Sequence, residues 1–242
     1  MTISIFKRYL PNKFRRLLRY LYFIPKQIGR PKVFCISMQR SGTTSVGEFL
    51  KDHGFKVARE SDSVNHNWSY LWYLGDFKSI IKSLAFKSFQ AYEDAPWWCP
   101  DFYKFLYHHF PNSKFIFFYR DPDKWFDSMK SLKNGKIPGN TRRHCKIYHR
   151  MSEFYDKLDN DPNFQPTWTK KDQLLRLDNM REHYIKTYEE NKREIIEFFN
   201  KVKPDALFVG RLEDDKKWQK LGDFLDIKVN ENYNVHANKS KK

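Results

Sequence analysis

Short apolar runs alternate with stretches of helical spacing along the chain, and this alternation decides the fold class. The runs at 33–37 (VFCIS) and 114–119 (KFIFFY) are β-prone and end at polar residues, as buried strands do. Weaker apolar runs at 55–58 and 206–209 favour two more strands. Because no hairpin signal joins the strands, we expect an α/β fold, with a parallel sheet flanked by helices.

Apolar residues with helical spacing fill the segments between the predicted strands. The pattern predicts helices over 43–52, 101–110, 121–132, about 143–158, 173–201 and 218–225. The remaining residues of 134–170 are polar and proline-rich, which predicts irregular structure there.

Charge is unevenly distributed along the chain. The 242 residues, enough for one core, carry 45 basic and 29 acidic side chains, a formal net charge of +16. Such a surplus predicts an anionic partner: nucleic acid, a phosphorylated nucleotide, an acidic glycan or a membrane surface. Residues 1–32 hold nine basic residues and no acidic one.

The basic N-terminal segment is predicted to stand apart from the rest. We expect residues 1–30 to form a basic amphipathic arm and residues 31–242 a single domain. The longest uncharged run of the arm, 20–25, is too short to span a bilayer, and basic residues interrupt any apolar core of a signal peptide. Two interpretations stay open: the arm lies on an anionic membrane, or it packs on the domain with its charges solvated.

The cysteines are few and scattered. Cys35, Cys99 and Cys145 are odd in number and lack the spacing of a metal site, so neither a disulfide scaffold nor a zinc site is predicted. We expect a cytoplasmic protein without a transmembrane helix, attached peripherally to a membrane if the arm binds one.

The first predicted strand runs directly into a Ser/Thr-rich loop and then a helix. This is the geometry of a phosphate cradle, in which backbone amides and the positive end of the helix bind an anion. Against the pattern G-x-x-x-x-G-K-[ST], Gly42 and Thr44 are kept, Thr43 replaces the lysine, and Arg40 supplies a cation two residues before Gly42. A simple helix cap is the alternative.

The displaced cation makes the loop resemble the 5′-phosphosulfate loop of the sulfotransferases, Lys/Arg-x-Gly-Thr-Thr. The resemblance implies that Arg40 contacts the bridging and sulfuryl oxygens of PAPS (3′-phosphoadenosine-5′-phosphosulfate), so that no metal is required. The donor-binding loop residues that it implies are Gln39, Arg40, Ser41, Gly42, Thr43, Thr44 and Ser45.

A second segment strengthens the resemblance. Sulfotransferases carry an arginine at a strand end and, eight residues on, a serine that binds the 3′-phosphate with it; Arg120 and Ser128 match this spacing. A guanidinium presents a planar fork to phosphate oxygens. The alternative is an arginine at the sheet edge and a serine on a solvated helix face.

The resemblance extends over about residues 33–235, toward the P-loop sulfotransferase-like proteins of bacteria and simple eukaryotes. The Asp-x-Pro of this group reads Asp94-Ala95-Pro96 here, and its late Trp-x-x-Leu-x-x-Phe-Leu, more typical of core packing, covers 218–225. Arg59 departs from the pattern, because related members often have His there, and the resemblance therefore leaves the catalytic base open.

Sulfuryl transfer needs a group that takes the acceptor's proton. Glu60, which follows the second predicted strand, and Asp94, next to Glu93, are the candidates, and each could instead be a surface acid or a helix cap. His53 and His66 remain further alternatives.

The acceptor is expected to be a hydroxyl or amine on a glycan or glycolipid. A dense set of aromatic residues could stack on it, although half of them could instead be ordinary core. Basic residues of 133–146 could hold an anionic acceptor or could be only a solvated run of charges. The aromatic set is Trp68, Tyr70, Trp72, Tyr73, Trp97 and Trp98. The competing functions are a degenerate P-loop nucleotide kinase and a basic membrane- or nucleic-acid-binding protein with an inactive nucleotide fold. Nothing in the sequence resembles a helix-turn-helix, an RRM or a zinc module.

Overall fold

Five parallel strands form the centre of the fold. They are β1 (Val33–Cys35), β2 (Val57–Ala58), β3 (Ala91–Tyr92), β4 (Lys114–Tyr119) and β5 (Leu207–Arg211). They lie in the order β2-β3-β1-β4-β5, and every pairing is parallel. The structure, a computed structural model, describes residues 11–131, 142–164, 177 and 179–237, without the side chains of residues 12 and 13.

Helices connect these strands and cover the sheet. They are α1 (Asn12–Gln27), α2 (Thr43–Asp52), α3 (Glu60–Asn65), α4 (Trp68–Tyr73), α5 (Phe77–Lys82), α6 (Leu84–Ser88), α7 (Phe102–His109), α8 (Pro122–Ser131), α9 (Arg142–Ile147), α10 (Met151–Asn160), α11 (Arg181–Val202) and α12 (Lys217–Phe224), with a 3₁₀ turn at Pro204–Ala206. The predicted α/β class with an all-parallel sheet is confirmed.

Two of the predicted helices were wrong in extent. The helix expected near 143–158 is two helices, α9 and α10, because His149 takes a left-handed conformation (φ 54°) that no helix can continue through. The helix expected from 173 begins only at Arg181, since Met180 is non-helical; residues 173–176 of that prediction lie outside the described residues.

The sheet buries aromatic residues on both faces. Phe34 and Phe115 point to one side, into a cluster that includes Trp97, whereas Ile116 and Phe118 point to the other. Strands buried on both sides read as continuous apolar runs, which is why β1 and β4 were visible in the sequence.

The aromatic residues expected to receive an acceptor are mostly core. Trp68, Trp72, Trp97 and Trp98 are at most 2% exposed, so these four belong to the core and do not form a stacking surface. Large aromatic side chains contribute most when buried, and all four lie in the larger core cluster. Tyr70 remains 41% exposed.

Helix α1 packs on the domain through one side. Tyr20 is buried, and its hydroxyl is 2.6 Å from His66 Nε2. Phe23 lies under the ammonium of Lys56, whose Nζ also donates to the backbone oxygen of Ser88 at the end of α6. None of the helices in the described part of the chain combines the length and apolar character needed to cross a bilayer.

Replacing Trp97 by Ala should destabilise the fold by about 3–5 kcal/mol, because the indole is fully buried and packs against Phe34, Trp68 and Tyr92. Tyr70→Ala removes an aromatic ring from the surface of α4 and should change the free energy of unfolding by less than about 0.5 kcal/mol. Urea unfolding measures both. Equal losses in the two variants would contradict the assignment of Trp97 to the core.

Candidate functional site

The loop between β1 and α2 is fixed to the neighbouring strand. The Ser37 hydroxyl accepts a 2.7 Å hydrogen bond from the amide of Phe118 in β4. The chain then turns through left-handed conformations at Arg40 (φ 68°) and Gly42 (φ 85°). The left-handed conformation of Gly42 favours glycine, and a Cβ there would also lie 2.6 Å from Leu212 Cδ1, so that the leucine side chain would have to shift.

Helix α2 begins directly after this turn. Gly42 is its N-cap residue and has no side chain with which to cap the first turn. The positive end of α2 therefore faces the loop, as the cradle geometry predicted.

The loop and the segment after β4 meet through two arginines. Arg40 Nε donates a 2.9 Å hydrogen bond to the hydroxyl of Ser128 on α8, and Arg120 Nη1 lies 3.4 Å from the backbone oxygen of Arg40. Ser128 is half-buried, which does not fit a serine on a solvated helix face. Two motifs eighty residues apart in the chain are thus brought into one site.

The site concentrates positive charge away from water. Burial lowers the pKa of Arg40, and the neighbouring charge of Arg120 lowers it further. Glu213 offers its carboxylate at 3.8 Å from Arg120 Nε, beyond hydrogen-bonding distance, and that buried nitrogen has no hydrogen-bond partner among the described residues. An anion between the two guanidiniums would relieve their repulsion.

Tyr188, on α11, holds the two segments together. Its hydroxyl accepts a 3.0 Å hydrogen bond from the amide of Arg120 and lies 3.2 Å from Ser41 Oγ. Sequence reasoning missed this residue, because nothing in the local pattern of α11 distinguishes it from an ordinary core tyrosine.

Trp125 supports the same loop from α8. Its ring stacks on Tyr188 with centroids 4.3 Å apart, and its Nε1 donates to the backbone oxygen of Gln39 at 2.9 Å. The Gln39 amide in turn donates to the buried Tyr148 hydroxyl at 2.7 Å. Trp125 lies between Arg120 and Ser128 in the sequence, and this position could have identified it as a residue that supports the site.

The remaining loop hydroxyls differ in their surroundings. Thr43 is buried and Thr44 half-buried in the first turn of α2. The Ser45 hydroxyl accepts a 3.1 Å hydrogen bond from the amide of Ala237, in the C-terminal segment. The Tyr233 hydroxyl of that segment donates to Asp52 at the other end of α2. Ser45 therefore has a structural contact with the C-terminal segment, and its hydroxyl can still donate one hydrogen bond.

The two candidate carboxylates follow different strands. Asp94 comes two residues after β3, the direct neighbour of β1, and is half-buried with Oδ1 2.7 Å from the amide of Ala95. Glu60 is exposed at the start of α3, after the edge strand β2. Neighbouring strands lie about 4.8 Å apart. The strand that precedes Asp94 is therefore one strand spacing from β1, and the strand that precedes Glu60 is two.

The histidines considered as bases are engaged elsewhere. His53 follows the C-terminal end of α2, which is about 15 Å from the loop end of that ten-residue helix. His66 lies against Tyr20 of α1, and burial lowers its pKa. Arg59, at the position where a histidine is common, donates instead to Glu48 Oε1 at 2.6 Å.

Glu93 is a buried acid that sequence reasoning mentioned only as a neighbour of Asp94. It is 3% exposed and packs against α2, where a Cβ on Gly47 would lie 2.8 Å from its Cγ. Burial, followed by the charge of Asp94, raises its pKa to about 8 despite nearby Arg59. Its Oε2 has no hydrogen-bond partner within the described ranges.

Metal-ligating groups do not gather in the described part of the chain: no group of three or more His, Cys, Asp or Glu side chains there could hold a metal ion. Cys35, Cys99 and Cys145 are buried, and none of the three forms a disulfide with another described residue.

Comparison with known families identifies the class of protein. A family model described as a sulfotransferase domain matches residues 32–242. The chain therefore belongs to the sulfotransferase domain family and is a transferase of the sulfuryl-transfer type. A comparison with curated proteins finds no match. The family assignment favours sulfuryl transfer over the nucleotide-kinase and binding-protein alternatives.

Glu93→Gln should remove a pH dependence of stability. Between the ordinary value of 4.5 and about 8, folded Glu93 keeps a proton that the unfolded chain has released. The stability that this proton provides is complete below pH 4.5 and is lost as the pH rises toward 8. Relative to Glu93→Gln, the wild type should therefore lose free energy of unfolding from about pH 5 to about pH 8, measured by urea denaturation.

The exposed Glu231→Gln serves as a matched control and should follow the wild-type profile. A wild-type curve parallel to that of Glu93→Gln over the whole interval would show that Glu93 does not hold this proton.

Proposed function

We propose that this sulfotransferase takes the sulfuryl group from PAPS and transfers it to a hydroxyl or amine acceptor, leaving PAP (3′,5′-adenosine bisphosphate). The observation that carries the proposal is the contact between the two motifs: Arg40 donates to Ser128 and lies beside Arg120. A donor with phosphates at both ends of its ribose needs two anion-binding groups at a fixed separation, one for each end.

The residues of the loop fit the 5′ end of such a donor. The proposed contacts come from Gln39, Arg40, Ser41, Gly42, Thr43, Thr44 and Ser45, of which Ser45 has the weakest support because its hydroxyl is bonded to Ala237. The positive end of α2 and the Arg40 guanidinium together favour an anion there. Arg120 and Ser128 are proposed to bind the 3′-phosphate.

The reaction would be an in-line displacement. When bound, the donor supplies the sulfuryl group and a phosphate leaving group. The acceptor oxygen or nitrogen forms a bond to sulfur, the bond from sulfur to the phosphate oxygen breaks, and the acceptor's proton passes to a carboxylate. Arg40 would stabilise the charge that develops on the leaving oxygen, so that no metal is required.

Asp94 is the better supported of the two candidate bases. The strand order separates the site into two sides, with Arg120 after β4 on one side of β1 and Asp94 after β3 on the other. Ligands of open parallel sheets bind in the crevice at such a point. Glu60 lies one strand farther away and is exposed to solvent.

The proposed acceptor is a glycan or a glycolipid. The exposed side of α9 supports an anionic one: the Arg142 guanidinium lies 5.5 Å from the Tyr73 ring, and Lys146 Nζ donates to the backbone oxygen of Tyr73. Aromatic rings beside cations are suited to a charged sugar. Lys133 and Lys136, the other basic residues expected to contribute, lie outside the described residues.

PAP should bind without added metal, and Arg120→Ala should weaken it by about 10–150-fold, the range for a lost charged hydrogen bond. Adenosine 5′-phosphosulfate lacks the 3′-phosphate, so the same substitution should weaken it much less. Isothermal titration calorimetry with both nucleotides measures the difference.

The matched control is Arg193→Ala, which removes an exposed arginine from α11 and should leave both affinities unchanged. No heat of PAP binding with or without Mg²⁺ would refute the proposed donor. Equal weakening of the two nucleotides by Arg120→Ala would instead show that Arg120 has a structural role.

Asp94→Asn should lower kcat by about 10²–10⁴-fold while PAP affinity stays near that of the wild type, because the amide keeps the size of the carboxylate but cannot take the proton. The matched change is Glu60→Gln, at the start of the helix that follows the edge strand β2, and it should leave kcat nearly unchanged. Radiolabelled PAPS and a glycan acceptor provide the assay. The reverse result would assign the base to Glu60, and normal turnover in both variants would exclude both carboxylates.

A further inference from the structure

Helix α1 has an apolar side that the described part of the domain leaves exposed. Its inner side, through Tyr20, Phe23 and Ile24, packs on the domain. On the outer side Phe14 is 47%, Leu17 38%, Leu18 45% and Leu21 52% exposed.

The exposed apolar residues form one continuous stripe. Positions 14, 17, 18 and 21 recur at the spacing of a single helix face, so the four side chains lie together on one face of α1. A monomer gains nothing from keeping such a stripe in water, and a contiguous exposed apolar patch marks an interaction site.

Basic residues lie beside this stripe. Arg15, Arg19 and Lys26 follow one line along α1, about a third of a turn from the centre of the apolar face. The segment 1–32 holds no acidic residue at all. An apolar stripe flanked by cations is the pattern of a helix that lies in the interface of an anionic bilayer.

Other occupants fit this face less well. A second copy of the chain would bring a second basic helix against the first, and the like charges oppose association. Nucleic acid would neutralise the cations but would leave the leucines and Phe14 in water.

We propose that α1 docks the protein on an anionic lipid bilayer, with Phe14, Leu17, Leu18 and Leu21 inserted among the lipids and Arg15, Arg19 and Lys26 at the headgroups. Because the inner side of α1 stays on the domain, the whole protein is held at the surface. This proposal is independent of the donor and acceptor proposed above.

The test is co-sedimentation of the full chain with vesicles of phosphatidylcholine mixed with phosphatidylserine, and with vesicles of phosphatidylcholine alone. The protein should partition to the mixed vesicles more strongly than to the neutral ones, and added salt should weaken the binding. Arg15→Gln/Arg19→Gln should weaken it by about fivefold for each cation removed.

Leu17→Ser/Leu21→Ser should weaken the partition by about tenfold or more, because two half-exposed leucines no longer enter the bilayer. The matched control is Leu74→Ser/Leu158→Ser, which removes two equally exposed leucines from elsewhere on the surface. Thermal unfolding verifies that all variants are folded.

Equal binding of the wild type and Leu17→Ser/Leu21→Ser would overturn the proposal, and so would equal binding to neutral and anionic vesicles. A dimer of the wild type that dissociates in the leucine variant, without vesicle binding, would assign the face to a second copy. PAP binding is measured in parallel, so that failure of the membrane proposal is distinguished from failure of the proposed donor.

Discussion

One buried hydroxyl, that of Tyr188, fixes the separation of the two segments proposed to bind the donor's phosphates. It touches Ser41 of the loop after β1 and accepts a hydrogen bond from the amide of Arg120 after β4. Each such bond contributes only about 0.5–1.5 kcal/mol. Their common anchor matters more than their strength, because a single rigid side chain on a long helix sets both ends of the site. Trp125, stacked on the same ring, extends this control to Gln39.

This rigidity has an electrostatic consequence. Arg40 and Arg120 are held near each other and half-buried, and the ion pair of Arg120 with Glu213, at 3.8 Å, offsets only part of this positive charge. The repulsion that remains between the two guanidiniums lowers the stability of the fold. An anion bound at the proposed site would relieve this repulsion, which is how preorganised charge increases affinity and catalysis.

Local signals explain what the sequence predicted well. The bounds of α2 and β4 match the prediction because their signals are local. Gly42 and Gly54 mark the two ends of α2, and a continuous apolar run marks β4. Strand β3 has only two residues, too few to show any periodicity, and its place between β2 and β1 comes from pairing with both neighbours. Tyr188 was missed for a similar reason, since its role depends on residues that lie 68 and 147 positions away. Glu93 differs from a surface acid only through burial by α2, which no local pattern reports.

The C-terminal segment ties α2 at both ends, through Ala237 to Ser45 and through Tyr233 to Asp52. These contacts join residues 192 and 181 positions apart. During synthesis the loop and α2 leave the ribosome well before Tyr233 and Ala237, the residues that restrain them. Contacts between such distant residues slow folding. The loop proposed to bind the donor would therefore gain these restraints only after Tyr233 and Ala237 have been made, and a nascent chain stopped before Tyr233 would carry both arginines while its α2 lacked these two restraints.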